Sequence, residues 1–516
     1  MAHAPRCLCW LILLPLVGRG VAAEAVSVRI ERVESGLRPA IMLEAEPAEL
    51  LSLADRMKFY KVPGVSVAVI DNGTIAWARG YGVQEAGKEK SVTTSTLFQA
   101  ASISKPVAAV VALQLVEQGS LGLDEDINLK LRSWKLPENE FTRDRKVSLR
   151  LLLSHRAGLT DYAGFRGAAA NQPLPILREI LETGNWTPAP IRVGFLPGSR
   201  FAYSGGGYCL MEQLLEDVSG KPFPMLAQEV VLKPLEMNSS SFDQDLSPER
   251  RLRAAIGHQF NGKKLPRNWN LYPATSAAGM WTTPSDLARF AIELQKLKTG
   301  DRQSILRPAT VTEMLSTQGP EDDRDSKVIA IREEIAEQQQ PSWGLGVGLI
   351  GRPATRFFHS GSNPGYQCEM QAYLHGGQGA VIMTNGDQGW RLARELLWAI
   401  AREYKWPQYP YRPEIRNVAS LPQAELERFA GRYRISLSQP TEWTLNITLD
   451  GDRLSAQILG YAEKVSLYPQ SSDVCFTIED AMTLNFVKNE TGSFTEVISD
   501  LGWRAKRELD ESSDCR

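Results

Sequence analysis

Ser102-Ile103-Ser104-Lys105 leads directly into Pro106-Val107-Ala108-Ala109-Val110-Val111-Ala112-Leu113-Gln114-Leu115-Val116-Glu117-Gln118-Gly119. From Val107 to Gln118 nearly every position is apolar, and Gly119 supplies a residue that accepts positive φ. That pattern predicts a fully buried helix with a glycine C-terminal cap. A cation at Lys105, ahead of a helix with almost no polar face, needs a reason. Ser102 and Lys105 are three residues apart, so on a helix they share one face. A serine hydroxyl is a weak nucleophile until a neighbouring base takes its proton. An amine kept partly neutral by burial can do so, and a helix N-terminus adds positive potential where negative charge develops. The tetrapeptide alone is weak evidence, because ordinary Ser and Lys usage gives roughly one or two in a chain of this length.

Working outward, Val65 to Ile70 reads as a strand, Asp71-Asn72-Gly73 as a hairpin turn, and Thr74 to Tyr81 as the return strand. Leu50 to Lys61 has helical periodicity, and residues 130–300 are helix-rich. The next segment with chemical content is Phe201-Ala202-Tyr203-Ser204-Gly205-Gly206-Gly207, a tyrosine beside a glycine-rich turn. A third is Phe357-Phe358-His359-Ser360-Gly361-Ser362, flanked by strand signals at Trp343–Leu349, Tyr366–Leu374 and Gly379–Thr384. A helix over Arg391–Tyr404 follows. Each segment taken singly reads equally well as ordinary packing.

Together and in this order, the three segments resemble the active-site elements of the penicillin-recognising serine hydrolases, in particular the class C β-lactamase-related branch, which carries a tyrosine motif in second place. Leu151–Leu159 and Ala277–Ala288 are similar to further segments of the family. The resemblance covers about residues 48–405. It implies an α+β fold of two lobes, an antiparallel sheet flanked by helices and a helical lobe, with the nucleophile between them. It implies catalytic roles for Ser102 as nucleophile, for Lys105 and Tyr203 as partners in proton transfer, and for His359 as a residue orienting substrate or assisting deacylation. The backbone N–H groups of Ser102 and Ser362 would form the oxyanion hole. Gly205, Ser360 and Gly361 would contact substrate. His155 and Asp161 are second-rank candidates, His155 being read as a packing and hydrogen-bonding residue. No metal or cofactor is implied.

The chain departs from the β-lactamase pattern twice. Gly205 stands where an asparagine is usual, and His359 where a lysine is usual. A glycine offers no side-chain contact to a substrate amide, and a neutral histidine pairs poorly with a carboxylate. The expectation is therefore an esterase or D-amino-acid peptidase acting on a small ester, amide or peptide, cell-wall-derived ones included. The alternatives are a true class C-type β-lactamase and an inactive relative that binds peptidoglycan or a partner.

The remaining sequence bounds this reading. The 516 residues carry a formal net charge of −2, which gives no footprint for nucleic acid. Arg6, the apolar run Leu8–Val17 and Val21-Ala22-Ala23 read as a signal peptide over residues 1–23, so the enzyme is expected to be periplasmic or secreted, with no stable membrane span after cleavage. Residues 24–47 read as an N-terminal extension and 48–405 as the hydrolase domain. Gln318–Gln340 reads as an exposed insertion and 406–425 as a linker. Residues 426–516, with short alternating segments such as Trp443–Leu449, read as a small all-β barrel-like domain. Cys209, Cys368, Cys475 and Cys515 leave room for one disulfide whose pairing the sequence does not fix.

Overall fold

A computed structural model describes residues 17–44, 50–159, 167–168, 173–183, 190–296, 305–319, 341–351, 353–409, 413–436, 443–459, 464–478, 481–500 and 503–508. The first sixteen residues of the expected leader, Asp161, most of the charged insertion and Cys515 lie outside the described residues.

A helix over Val17–Glu34 precedes the short strand β1 (Ile41–Leu43) and the helix Leu53–Phe59. The expected hairpin follows as β2 (Gly64–Asp71) and β3 (Thr74–Gly82). Its turn residues Asn72 and Gly73 both have positive φ, 51° and 70°, as a two-residue hairpin loop requires. β4 (Phe98–Gln99) pairs with β5 (Trp281–Thr282) across the helical lobe. Later come β6 (Pro341–Trp343), β7 (Gly348–Ile350), β8 (Arg356–Asn363), β9 (Tyr366–Tyr373) and β10 (Gly379–Thr384). The Trp343–Leu349 segment, expected as one strand, is a hairpin. Gly346, at φ 87°, turns the chain between β6 and β7.

These strands form a seven-stranded antiparallel sheet in the order β3-β2-β10-β9-β8-β7-β6, built from both ends of the lobe. Side chains alternate between its faces. Ala68, Met370, Ala372, Val381 and Met383 join the core shared with the helical lobe. Val67, Val69, Ala380 and Ile382 pack against the helix Gly389–Glu403. That helix is anchored by a buried ion pair, in which Arg56 meets Glu395 at 2.8 and 2.6 Å while the Tyr60 hydroxyl donates to the same carboxylate at 2.6 Å. Removing one partner of such a pair costs about 3–5 kcal/mol, because the other charge is left buried.

The linker contains a strand, β11 (Glu414–Arg416), which pairs in parallel with β1 of the N-terminal extension. Ile41 and Leu43 then pack on Phe476 of the last region. Extension and linker thus form one strap, a long-range pairing of two three-residue strands. After the helix Gln423–Phe429 come β12 (Gly431–Ser436), β13 (Trp443–Asp450), β14 (Arg453–Ile458), β15 (Val465–Pro469), β16 (Val474–Phe476), β17 (Thr483–Lys488), β18 (Phe494–Ser499) and β19 (Arg504–Arg507). They close into an eight-stranded antiparallel barrel. The architecture is the expected α+β lobe pair followed by a β-barrel. Cys209, Cys368 and Cys475 are all free and buried, so no disulfide joins these three. Among the described residues no helix is long and apolar enough to cross a membrane.

Candidate active site

Ser102 lies in a 3-10 turn, Ala101–Ile103, that runs into the helix Ser104–Glu117. Ala101 has φ 48°, an unfavourable backbone for a residue with a β-carbon. The turn is held by its neighbours. Ser104 Oγ donates to Ala101 O at 2.6 Å and accepts from Met280 N at 3.0 Å, while Ala100 N donates to Met280 O at 2.8 Å.

Lys105 is buried, with 2% of its surface exposed. Its Nζ donates to Ser102 Oγ at 3.1 Å and to Ala277 O at 2.7 Å. Ala277 sits in the short helix Thr275–Ala278, held from behind by Glu212, which accepts from Thr275 Oγ1 at 2.6 Å and Ser276 N at 2.7 Å. Burial pushes the Glu212 carboxyl up to about 7 against those hydrogen bonds. The chain therefore reaches Lys105 from two sides, through the Ala277–Ala288 segment and through Ser102.

Tyr203 precedes the helix Gly205–Ser219, whose N-cap Ser204 accepts from Gly207 N at 2.7 Å. The Tyr203 ring centre is 5.0 Å from Lys105 Nζ. His155 clamps the tyrosine segment. Its carbonyl accepts from Ala202 N at 2.8 Å, its Nδ1 accepts from Ser204 N at 3.1 Å, and its ring lies 4.2 Å from the Tyr203 ring between those two bonds. Because Nδ1 accepts, the proton of the neutral imidazole is on Nε2. Burial, followed by the repulsion of Lys105 and of His359, holds His155 well below the usual histidine range. His155 is thus the packing and hydrogen-bonding residue expected.

His359 lies on β8. Its Nδ1 faces the Ser360 carbonyl at 2.7 Å; a carbonyl only accepts, so Nδ1 carries the proton and Nε2 offers a lone pair. That Nε2 is buried and meets no protein partner among the described residues. Burial and Lys105 lower His359 to about 3, so the imidazole is neutral near pH 7. Two residues on, a β-carbon on Gly361 would sit 2.1 Å from Ala100 O and 3.3 Å from Ala101 Cβ. Only a glycine lets β8 lie this close to the Ser102 turn.

A cavity of about 320 Å³ opens here, lined by Ser102, Tyr203, His359, Ser360, Gly361 and Ser362. The three motifs, separated by about a hundred residues or more each, meet on its walls. Lys105 and Gly205 do not line it. Gly205 is buried at the first position of its helix, and Lys105 reaches the cavity through the Ser102 hydroxyl. The same cavity is walled by residues no motif indicated, among them Trp343, Glu369, Trp390 and Trp398. The sequence indicated only a helix over Arg391–Tyr404 here, and nothing local distinguishes Trp390 and Trp398 from ordinary packing residues of the helix Gly389–Glu403.

Fold and constellation define a serine hydrolase of the penicillin-recognising superfamily. The Beta-lactamase family model matches residues 52–405, and the chain belongs to that family. Penicillin-binding protein 4* of Bacillus subtilis (strain 168) is 24% identical over 84% of this chain and 94% of its own length. The octameric penicillin-binding protein homologue from Pyrococcus abyssi shares the fold, with a TM-score of 0.55 at 21% identity over 88% of this chain and 98% of its own. The D-amino acid amidase from Ochrobactrum anthropi SV3, complexed with L-phenylalanine amide, gives a TM-score of 0.54 at 20% identity over 73% and 99%.

Proposed function

We propose that the protein is an exported acyl-serine hydrolase that cleaves a small carboxylic ester or amide, in the manner of an esterase or D-amino-acid peptidase. The observation that carries this reading is the 3.1 Å contact from Lys105 Nζ to Ser102 Oγ on a cavity shared with Tyr203 and His359. Ser102 Oγ attacks the substrate carbonyl carbon, and its proton passes to the Lys105–Tyr203 pair. The carbonyl oxygen takes up negative charge, stabilised by the N–H groups of Ser102 and Ser362. The bond to the leaving alcohol or amine breaks, and the leaving group takes the proton. Water then attacks the acyl-enzyme carbonyl and gives one proton to Tyr203, with His359 Nε2 accepting a hydrogen bond from that network; the bond to Ser102 Oγ breaks, Oγ takes up that proton, and the carboxylic acid leaves. The neutral His359 provides no cation for a substrate carboxylate, which favours esters and neutral amides over penicillins. Arg6, the Leu8–Val17 run and Val21-Ala22-Ala23 support export.

The test is the initial rate on p-nitrophenyl acetate and on a chromogenic cephalosporin, for the wild type and Ser102→Ala. Ester turnover that the substitution reduces at least ~10³-fold, with slow cephalosporin turnover, is expected. Equal turnover of the cephalosporin would make the protein a β-lactamase. Ester turnover that survives Ser102→Ala would remove the nucleophile.

A further inference from the structure

The active-site cavity extends beyond the three motifs. β7 pairs with β8 only from Arg356 to Phe358, so from His359 onward that flank of β8 has no partner among the described strands. Past it, the cavity reaches the sheet face that looks toward the helix Gly389–Glu403. Gln367, Glu369 and Gln371 alternate along β9 with Cys368 and Met370 of the opposite core. They therefore share that face. Across from them the helix presents Trp390, Arg394, Leu397 and Trp398, spaced four, seven and eight residues from the first, which is one helical face.

Aromatic rings make up much of this part. Trp343, Phe358, Trp390, Trp398 and Tyr409 line the cavity. Guanidinium groups lie near several of them, and Arg394 itself lines the cavity. Arg394 lies 5.5 Å from the Trp390 ring and 5.7 Å from the Trp398 ring, and Arg356 lies 4.5 Å from the Tyr409 ring. A cation over a ring is attracted to its face and so favours one orientation of that ring. An acetyl group on Ser102 would leave most of the 320 Å³ unfilled. A flat apolar ring fills such a space and meets the indoles edge-on or offset, the arrangements aromatic pairs prefer.

We propose that this aromatic chamber is an acyl-group subsite, and that the substrate's acyl part carries an aryl ring. The inference rests on Ser102 being the nucleophile, so its test has an arm that does not need turnover. The first arm compares kcat/KM for the p-nitrophenyl esters of 4-phenylbutanoate and hexanoate in wild type, Trp398→Leu and Ala393→Phe, the last filling the chamber. A wild-type preference for the aryl ester of at least ten-fold is expected, falling at least five-fold in either variant. Variants that slow both esters equally, or a wild type that prefers hexanoate, would overturn the subsite. The second arm titrates 4-phenylbutanoate and hexanoate into Ser102→Ala and follows tryptophan fluorescence. Saturable quenching by the aryl acid alone is expected. Aryl-acid binding without ester turnover would keep the subsite and sink the hydrolase reading. Turnover with neither aryl preference nor aryl-acid binding would do the reverse.

Discussion

Around Ser102 the fold buries Lys105, His155, Ser204, Glu212 and His359, whereas inside the barrel it buries Phe429, Tyr433, Leu484, Phe486 and Phe494. In the first region, polar groups are held away from water at close quarters, each by named hydrogen bonds, and two histidines are kept neutral. In the second, no charged side chain beyond residue 423 is buried among the described residues. The barrel's interior is filled by its own apolar side chains and by Phe429, whose ring packs 4.8 Å from Phe486 and 5.0 Å from Phe494. Buried polarity costs stability unless fully paired, so a fold retains it where chemistry requires it. The comparison puts the candidate catalytic groups in the lobe pair and shows a described barrel interior that is mainly apolar.

The largest effect should come from disturbing the geometry that joins β8 to the Ser102 turn. Gly361→Val would drive a β-carbon to 2.1 Å from Ala100 O, so β8 and the turn must separate. Displacing reacting groups by about 1 Å costs on the order of 10²-fold in rate. A fall in ester kcat/KM of at least ~10²-fold is expected, with far-ultraviolet circular dichroism unchanged. Near-wild-type rates in a folded Gly361→Val protein would mean that the approach of β8 to Ser102 is irrelevant to turnover.

The matching change in the barrel should cost stability and leave chemistry alone. Phe429→Ala removes a fully buried ring, and such truncations cost about 3–5 kcal/mol. Urea unfolding should show that loss, while ester turnover per folded molecule in dilute buffer stays at the wild-type level. A parallel loss of turnover in the folded protein would couple the barrel to the site and break the division drawn above.

The legibility of the sequence follows the same division. The β2–β3 hairpin and the Ser104–Glu117 helix could be read because each depends on neighbours within a few residues, whereas the Ser102, Tyr203 and His359 motifs could be read only through their joint resemblance, in order, to a known family. The β1–β11 strap could not, since two three-residue strands about 370 residues apart carry no periodicity to detect. The aromatic chamber was hidden for a different reason. Trp390 and Trp398 satisfy the helical pattern of a core-facing stripe, and only the register of β9 against that helix shows that part of the stripe borders a cavity. The motif position of Gly205 points to substrate contact, yet Gly205 is buried at the start of the helix Gly205–Ser219 and does not line the cavity.

The smallest expected effect is on acid stability, and its sign distinguishes the two regions again. Burial and the nearby Lys105 lower His359 to about 3, against about 6.5 for an unperturbed histidine. Between those values the unfolded chain binds a proton that the folded chain refuses, so stability rises with pH across the window and is lost on acidification. His155 acts in the same direction. Glu212, raised to about 7 by burial, acts oppositely from about 4.5 upward, because there the folded chain holds the extra proton. Each histidine contributes at most ~1.4 kcal/mol per pH unit well inside its window. Urea midpoints at pH 4.5 and 7 should therefore differ less in His359→Gln than in the wild type, while Phe429→Ala should shift both midpoints and leave their difference intact. An undiminished pH difference in His359→Gln would mean that the folded and unfolded chains protonate His359 alike, so that burial beside Lys105 does not keep its Nε2 lone pair free at acid pH.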